Sequence, residues 1–253
     1  AGAAFLSACA AYTVGAGLVQ IYTASENRLA LQELLPEAII SCYDSYDDSQ
    51  LSHLLDWADV VCIGCGLGMG QISEKILKNV LKNVSCPCVI DADGLNLLSR
   101  NIELLNQCCA PVILTPHMKE MSRLTGWSID TIMEDRFQAL DQIIKQSGPD
   151  TKSSRICVLK DSRTVVAQTN RQKFVNLAGN NSMAKGGSGD VLAGTIAGLL
   201  AQHMAPFEAT TVGVFLHACG GDEAKKSKGS YSVLARDLIQ GMADAMKNAK
   251  ECR

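Results

Sequence analysis

Short, continuous apolar runs alternate with helical patterns along most of the 253-residue chain. Six such runs are bounded by turn residues, and they occupy positions 18–23, 39–42, 59–64, 87–93, 111–117 and 155–160. A continuous apolar run is typical of a strand that is covered on both faces, as in a parallel sheet flanked by helices. The pattern therefore predicts a three-layer α/β fold, with a mostly parallel central sheet and helices on both faces.

The helical patterns are either amphipathic segments or runs of small residues. They lie at 3–14, at 50–57, at 72–81 and, with breaks near Pro206 and Gly229, from 191 to 248. Segments 164–168 and 173–176 have the pattern of a small hairpin. Because no linker or repeat divides the chain, we expect one domain over residues 1–253. The chain enters its first helical pattern at once, which leads us to expect an upstream segment, such as a strand.

A glycine-rich loop directly before a small-residue helical pattern is the most informative motif. It reads Gly186-Gly187-Ser188-Gly189-Asp190. Its glycines allow a tight curl that leaves backbone N–H groups accessible, and at the positive end of a helix dipole such groups bind phosphate. We therefore predict that the first four residues form a phosphate cradle. Asp190 is expected to accept a proton from a hydroxyl group beside that phosphate, or to orient it.

Two common nucleotide motifs are not met. Nothing in the sequence matches the Walker A pattern GxxxxGK[ST]. The loop at 64–70 follows a predicted strand, but Met69 stands where the dinucleotide fingerprint GxGxxG needs its third glycine. A structural role for the loop at 186–190 stays open, since glycine-rich turns often precede helices and Asp is a common capping residue.

Polar residues follow several of the predicted strands. They are Asp91 and Asp93, Thr115 to Glu120, and Lys160 with Asp161. Ligands of open α/β sheets bind beyond the carboxyl ends of the strands, so these residues are candidates for a site. Structural alternatives stay open, because Glu120 could complement a helix dipole and Lys160 could close a strand. Of the two aspartates, one is expected to face the site and the other to cap a helix near Leu95.

Other polar residues are harder to interpret. Asn176 and Asn180 either contact a ligand or shape a turn. His53, His203 and His217 have no identifiable partner in the sequence, and we interpret them as structural.

Composition narrows the class of protein. The net charge is −3 and no Lys/Arg run occurs, which argues against a nucleic-acid partner. The longest apolar run is too short for a membrane span, and no signal peptide is visible. The cysteines, of which there are eleven, lack zinc-ligand spacing and lie singly in apolar runs, for example Cys62, Cys88, Cys157 and Cys219. We expect buried free thiols in a reducing, cytoplasmic environment.

Five segments, taken together and in order, resemble the ADP/ATP-dependent NAD(P)H-hydrate dehydratase family of the ribokinase-like superfamily. The first segment is 2–4 together with 14–19. The other four, each followed by the family motif that it resembles, are 63–68 (GPGLG), 91–98 (DADALNLL), 115–124 (TPHPGEMARL) and 186–194 (GGTGDVLAG). The resemblance covers essentially the whole chain. The chain departs from the family pattern at three places. Cys65 replaces the proline of GPGLG, and Met118-Lys119 replace the Pro-Gly that follows the histidine of TPHPGEMARL. Asp161-Ser162-Arg163 replace the small residues of KGAGT.

The resemblance implies a role for each matching residue. The residues that would line the hydrated nicotinamide nucleotide are Ala3, Gly66, His117 and Asp190. The residues that would lie along the adenine nucleotide are Lys160, Asp161, Ser162, Arg163, Thr164 and Gly189. The resemblance further implies ADP or ATP as co-substrate, Mg²⁺ on its phosphates at a site that the sequence does not identify, and a homo-oligomer, with a tetramer as one form.

The implied reaction is repair of damaged NADH or NADPH. A nucleotide phosphorylates the hydroxyl of the S form of the hydrated cofactor, and loss of phosphate restores NAD(P)H. The alternative is a kinase of the same fold that phosphorylates a hydroxymethyl-pyrimidine or thiazole alcohol, since the cradle and Asp190 would serve both reactions. A nucleotide-binding sensor without turnover is a third reading, which the presence of Asp190 disfavours.

Overall fold

The computed structural model describes residues 1–145, 154–169, 171 and 173–251. The α-helices of these residues are α1 (Gly2–Thr13), α2 (Arg28–Leu34), α3 (Asp48–Trp57), α4 (Gln71–Asn83), α5 (Ala92–Leu98), α6 (Met118–Thr125), α7 (Ile129–Glu134), α8 (Arg136–Lys145), α9 (Ser188–Ala201), α10 (Pro206–Lys228) and α11 (Ala235–Glu251). None of these helices combines the length and the apolar character that a bilayer span requires. The strands are β1 (Gln20–Ala24), β2 (Ile39–Tyr43), β3 (Val61–Ile63), β4 (Cys88–Ile90), β5 (Val112–Leu114), β6 (Arg155–Leu159), β7 (Val165–Gln168) and β8 (Phe174–Val175).

The chain divides into two compact units. The first consists of Ala1–Ser45 and Asn176–Arg253, and the second of Tyr46–Val175. Each has its own sheet and its own helices. The expectation of a single domain over residues 1–253 stays a prediction.

The first unit combines the parallel pair β1–β2 with helices α1, α2 and α9 to α11. Helix α1 packs against α9, and α10 packs against α11. Small and aliphatic side chains form this core, including Ala10, Val191, Ala224, Val233, Leu238 and Met242. The first helix and the helical region after Asp190 were both predicted and are confirmed, as is the break at Pro206. Proline suits the start of α10, because a first-turn N–H has no partner in the helix.

The second unit is built on a six-stranded mixed sheet of order β3-β4-β5-β6-β7-β8. Strands β3 to β6 are parallel to one another. Strand β7 pairs antiparallel with β6, and β8 pairs antiparallel with β7, which confirms the predicted hairpin of β7 and β8. Strands β4, β5 and β6 are buried along their whole length, as their continuous apolar runs predict. Helix α8 packs against β6 and β7. The four parallel strands end at the same edge of the sheet, so the residues that follow them lie close together.

The end of β4 differs from the prediction. The strand ends at Ile90, and α5 begins at Ala92 rather than near Leu95. Asp91 occupies the N-cap position, but its side chain makes no capping hydrogen bond. The predicted aspartate cap is therefore wrong, because both carboxylates bind groups outside this helix.

The cysteines only partly match the expectation. The ten described cysteines are free thiols, and Cys88 and Cys157 are buried as predicted. Cys62 is exposed and Cys219 is half-buried, so the prediction is wrong for these two. Cys62 lies on β3, which is one of the two edge strands of the six-stranded sheet that the described residues form.

Candidate active site

In the first unit, the glycine-rich loop leads directly into α9. Gly187 is the N-cap residue and has a left-handed backbone (φ 91°). A Cβ atom there would lie 2.6 Å from Cδ1 of Leu6 and 3.0 Å from Cβ of Ala235, so the backbone conformation favours glycine and a larger residue would also have to displace Leu6. No side chain caps the start of α9. The helix therefore presents backbone N–H groups and the positive end of its dipole, the geometry that favours an anion.

Asp190 lies in the first turn of α9 and is half-buried. Ser188 and Gly189 share that turn, whereas Gly186 is exposed on the preceding loop. The carboxylate is thus next to the predicted phosphate cradle, where it can accept a proton from a hydroxyl group. Ala3 lies in the first turn of α1 and is also half-buried.

The segment before the cradle is tied to α10 by hydrogen bonds. Asn180 Oδ1 accepts from Ser182 N–H at 3.0 Å, and Asn180 Nδ2 donates to Asp222 Oδ1 at 2.7 Å. Asp222 Oδ2 also accepts from Gly179 N–H at 3.1 Å. Asn176 Nδ2 donates to the carbonyl of Ala178 at 3.0 Å. Both asparagines therefore shape the turn that precedes the cradle.

In the second unit, the loop after β3 bends at Gly64. Its backbone is left-handed (φ 116°), and a Cβ atom would lie 1.8 Å from the carbonyl oxygen of Asp91. Gly66 follows with φ 70° and is exposed. Gly68 N–H donates to Asp93 Oδ2 at 2.8 Å, so Asp93 holds this loop rather than capping a helix.

The residues after β4, β5 and β6 form a buried polar cluster. Asp91 Oδ1 accepts from Lys160 Nζ at 2.6 Å and from Thr115 Oγ1 at 2.8 Å. Glu120 Oε2 lies 3.9 Å from Lys160 Nζ. The side chains of Asp91 and Glu120 are 2% and 5% exposed, so two buried carboxylates share one ammonium group. These four strand-end residues, which the sequence offered as candidates for a site, therefore lie close together in this unit.

His117 joins the cluster as the N-cap residue of α6. Its Nδ1 accepts from the N–H groups of Lys119 and Glu120, both at 3.1 Å, while Glu120 Oε2 accepts from His117 N–H at 2.8 Å. This reciprocal arrangement is a capping box, with histidine in the position that Ser or Thr usually takes. The side chain of His117 remains 48% exposed, so its ring is accessible to a ligand.

Burial and charge shift the pKa values of three groups in this cluster. Burial, helped by the Lys160 ammonium, lowers the pKa of His117, which fits the neutral ring that its capping role requires. Burial raises the pKa of Glu120, although Lys160 opposes the shift. Burial by itself would lower the pKa of Lys160, but Asp91 and Glu120 outweigh it and the pKa is raised. Lys160 is therefore charged at neutral pH and engaged by Asp91.

The turn between β6 and β7 contains the remaining predicted nucleotide residues. Thr164 Oγ1 donates to the carbonyl of Asp161 at 3.2 Å, and Asp161 Oδ2 forms an ion pair with Arg136 at 2.9 Å. Asp161, Ser162 and Arg163 are exposed. A shallow depression of about 330 Å³ adjoins the turn; its lining includes Arg136, Phe137, Arg163, Val165 and Val175. It offers apolar surface beside two guanidinium groups and two carboxylates, those of Glu134 and Asp135.

Sequence reasoning missed several of these relationships. Arg136, at the start of α8, carried no motif that pointed to Asp161. His217 was interpreted as having no partner, but its Nε2 lies 3.3 Å from Ser188 Oγ. Asp222, on the same helix, was not considered. Both lie on the long helical region whose periodicity gives no indication of which residues face the loop.

Fold and site together define a class, an α/β protein with a glycine-rich loop at the start of a helix and an acid in the first turn of that helix. The chain belongs to the NAD(P)H-hydrate dehydratase family, whose model matches residues 1–243. The fold is ribokinase-like, a mixed sheet with helices on both faces. A solved ribokinase-like superfamily protein from Enterococcus faecalis is 33% identical with a TM-score of 0.82, covering 98% of this chain and 82% of that one.

Two further relatives are similar over nearly the whole chain. An ADP-dependent (S)-NAD(P)H-hydrate dehydratase of Neisseria meningitidis is 35% identical, covering 98% of this chain and 81% of that protein. The ADP/ATP-dependent NAD(P)H-hydrate dehydratase of Bacillus subtilis, co-crystallised with ATP and Mg²⁺, is 27% identical with a TM-score of 0.79, covering 98% and 84%. The chain spans about half the length of the bifunctional NAD(P)H-hydrate repair enzymes that it matches, for example 48% of the one from Moorella thermoacetica.

Proposed function

We propose that this protein repairs hydrated NADH or NADPH by a dehydration that consumes ADP or ATP. The substrate would be the S form of the hydrated cofactor. The observation that carries the proposal is Asp190, a carboxylate in the first turn of a helix whose start is uncapped and preceded by a left-handed glycine. The family match, through both units, supports the same activity.

Asp190 acts on the substrate hydroxyl. It accepts the proton as the hydroxyl oxygen attacks the terminal phosphorus of the nucleotide, and the bond from that phosphorus to the leaving nucleotide oxygen breaks. The cradle at 186–189 supplies N–H groups that stabilise the charge on the transferring phosphoryl group. Phosphate is a better leaving group than hydroxide. The lone pair of the ring nitrogen then expels it, and loss of a proton from the neighbouring carbon restores NAD(P)H.

Magnesium is expected on the nucleotide phosphates, where it would neutralise charge. Such an ion is usually held by phosphate oxygens, water and one or two carboxylates. In the first unit Asp190 fits this need by its position at the cradle. In the second unit Asp91 Oδ1 already binds Lys160 and Thr115, so its Oδ2 is the oxygen that could contribute to such a site.

We propose that the second unit contributes the predicted binding residues at its strand ends. Gly66 and the accessible ring of His117 would contact the hydrated nicotinamide nucleotide, and Ala3 of the first unit would do the same. The turn at 160–164 would lie along the adenine nucleotide, with Gly189 of the cradle. The apolar depression beside Arg163 suits an aromatic base, which supports this assignment.

We further propose a cytoplasmic homo-oligomer, with a tetramer as one form, that works as one domain on small molecules and binds neither nucleic acid nor membranes. Free thiols support a reducing environment. Exposed apolar side chains on the first unit support self-association; they are Leu18, Leu29, Leu34 and Ile39.

The proposal is tested by mixing the protein with enzymatically hydrated NADH, Mg²⁺ and either nucleotide. Reduced-nicotinamide absorbance should return only when a nucleotide is present. Asp190→Asn should lower kcat by about a hundredfold or more while nucleotide binding persists, since only proton acceptance is removed. Near-normal turnover of this variant would show that the role of Asp190 is wrong. Consumption of a vitamin-precursor alcohol instead would support the kinase alternative.

A further inference from the structure

His217 is a buried histidine of the first unit that the proposed mechanism does not use. It lies on α10, is 8% exposed, and its Nε2 is 3.3 Å from Oγ of Ser188. Ser188 is the first residue of α9 and belongs to the proposed phosphate cradle. The imidazole thus contacts the cradle through a side chain that is itself expected to contact phosphate.

Helix α10 holds both ends of the loop that forms the cradle. At the beginning of the loop, Asp222 accepts hydrogen bonds from Gly179 N–H and from Asn180 Nδ2. At its end, His217 meets Ser188. His217 and Asp222 are five positions apart on one continuous helix, so their spacing is constant. The loop is therefore supported from the same rigid element at two points.

A serine hydroxyl can accept one hydrogen bond and donate another. When the imidazole proton is on Nε2, that N–H donates to Ser188 Oγ, and the hydroxyl hydrogen is left for a different acceptor. In a nucleotide complex a phosphate oxygen is the acceptor that the cradle offers. Each hydrogen bond of such a chain polarises the next and strengthens it.

We propose that His217 is a positioning residue that directs the Ser188 hydroxyl to the transferring phosphoryl group. The inference rests on the proposed function and deepens it, because it assigns the orientation of one cradle donor to a residue outside the cradle. A donor aimed at charge that develops during transfer lowers the barrier more than it strengthens ground-state binding. The effect is therefore expected in kcat rather than in the nucleotide KM.

The first test compares two side chains of similar length at position 217. His217→Gln keeps an N–H donor, whereas His217→Met has none. His217→Met should lower kcat by roughly fivefold to tenfold with little change in the nucleotide KM, and His217→Gln should recover most of the loss. His53→Met, at an exposed histidine on α3, should match the wild type. Equal kcat values for the Met and Gln variants, at similar melting temperatures, would overturn the inference.

A double-variant cycle tests whether His217 acts through Ser188. If it does, His217→Met should change kcat less than twofold in a Ser188→Ala background, since the group it orients is already absent. A full fivefold to tenfold loss in that background would overturn the inference. Ser188→Thr keeps the hydroxyl and should preserve the effect of His217→Met.

A spectroscopic readout separates this inference from the proposed function. The chain has four histidines, so the ¹⁵N signals of the His217 ring can be assigned by substitution. A non-hydrolysable ATP analogue with Mg²⁺ should shift the His217 Nε2 signal in the wild type and not in Ser188→Ala. That shift in a protein that fails to restore NADH would support the inference and reject the proposed function. An unshifted signal with nucleotide bound would overturn the inference whether or not NADH is restored.

Discussion

Nζ of Lys160 lies 2.6 Å from Oδ1 of Asp91, although the two residues are 69 positions apart in the chain. Asp91 follows β4 and Lys160 follows β6, so this ion pair spans the intervening strand β5. Thr115, which follows β5, also donates to Asp91. The pair places a charged, largely buried ammonium where the parallel strands end. Because of this ion pair, a phosphate group could bind Lys160 only by competing with the buried carboxylate of Asp91.

Removing one partner of this pair should be costly. Lys160→Met leaves Asp91 buried without its cation, and a loss of about 3–5 kcal/mol in the free energy of unfolding is expected. The double variant Lys160→Met with Asp91→Leu should recover part of that loss, because the Asp91 carboxylate is then no longer buried without its cation, although Glu120 remains. Urea denaturation measures both. A single variant as stable as the wild type would show that the pair contributes little to the fold.

His117 is expected to combine a structural and a binding role, and two substitutions separate them. His117→Ala removes the acceptor at the start of α6 and should cost about 1 kcal/mol of stability. His117→Asn keeps a capping acceptor and should retain stability, but it should raise the KM for the hydrated cofactor because the ring is lost. If His117→Asn has an unchanged KM, the predicted substrate contact is wrong.

Glu120 should make stability depend on pH. Because burial raises its pKa in the folded state, the folded protein holds the proton more tightly than the unfolded chain. The resulting stabilisation is complete below roughly pH 4.3 and is lost as the pH rises through the raised pKa. Glu120→Gln cannot titrate and avoids this loss. As the pH rises from about 4 to 7, the melting temperature of the variant should therefore increase relative to that of the wild type.

The matched control for this experiment is Glu33→Gln, at an exposed position on α2. Its melting temperature should keep a constant difference from the wild type over the same pH interval. If the melting temperature of Glu120→Gln instead falls relative to the wild type as the pH rises, the ion pair with Lys160 outweighs the effect of burial on the pKa of Glu120.

Asp161 stands where the KGAGT pattern of the resembled family has a small residue. Its Oδ2 forms an ion pair with Nη2 of Arg136 at 2.9 Å. A carboxylate beside a bound nucleotide repels its phosphates, and the ion pair withholds a guanidinium group. Asp161→Gly should therefore lower the nucleotide KM by roughly twofold to fivefold, in keeping with a partly exposed pair. Titration of ADP and of ATP gives the measurement. A higher KM would instead assign Asp161 a favourable contact with the nucleotide.

The sheet was predictable because short, continuous apolar runs such as those of β4, β5 and β6 are typical of strands that are covered on both faces. The glycine-rich turn at the start of α9 was predictable because its glycines are needed locally, as the left-handed backbone of Gly187 illustrates. The ion pair of Arg136 and the contact of His217 were not predictable, since each depends on how a helix is rotated against a distant turn. The misplaced start of α5 has a related cause, because Asp91 satisfies its carboxylate through Thr115 and Lys160, which are remote in sequence.

The fate of the phosphoryl group distinguishes a dehydratase from a kinase. Hydrated NADH, Mg²⁺ and ATP or ADP should be incubated with the protein, while restored NADH and released inorganic phosphate are followed in parallel. Nucleotide-dependent dehydration predicts that NADH and phosphate appear together, in equal amounts, and that both require the nucleotide. Nucleotide consumption that yields a stable phosphorylated product, with neither NADH nor free phosphate, would contradict the account and identify a kinase.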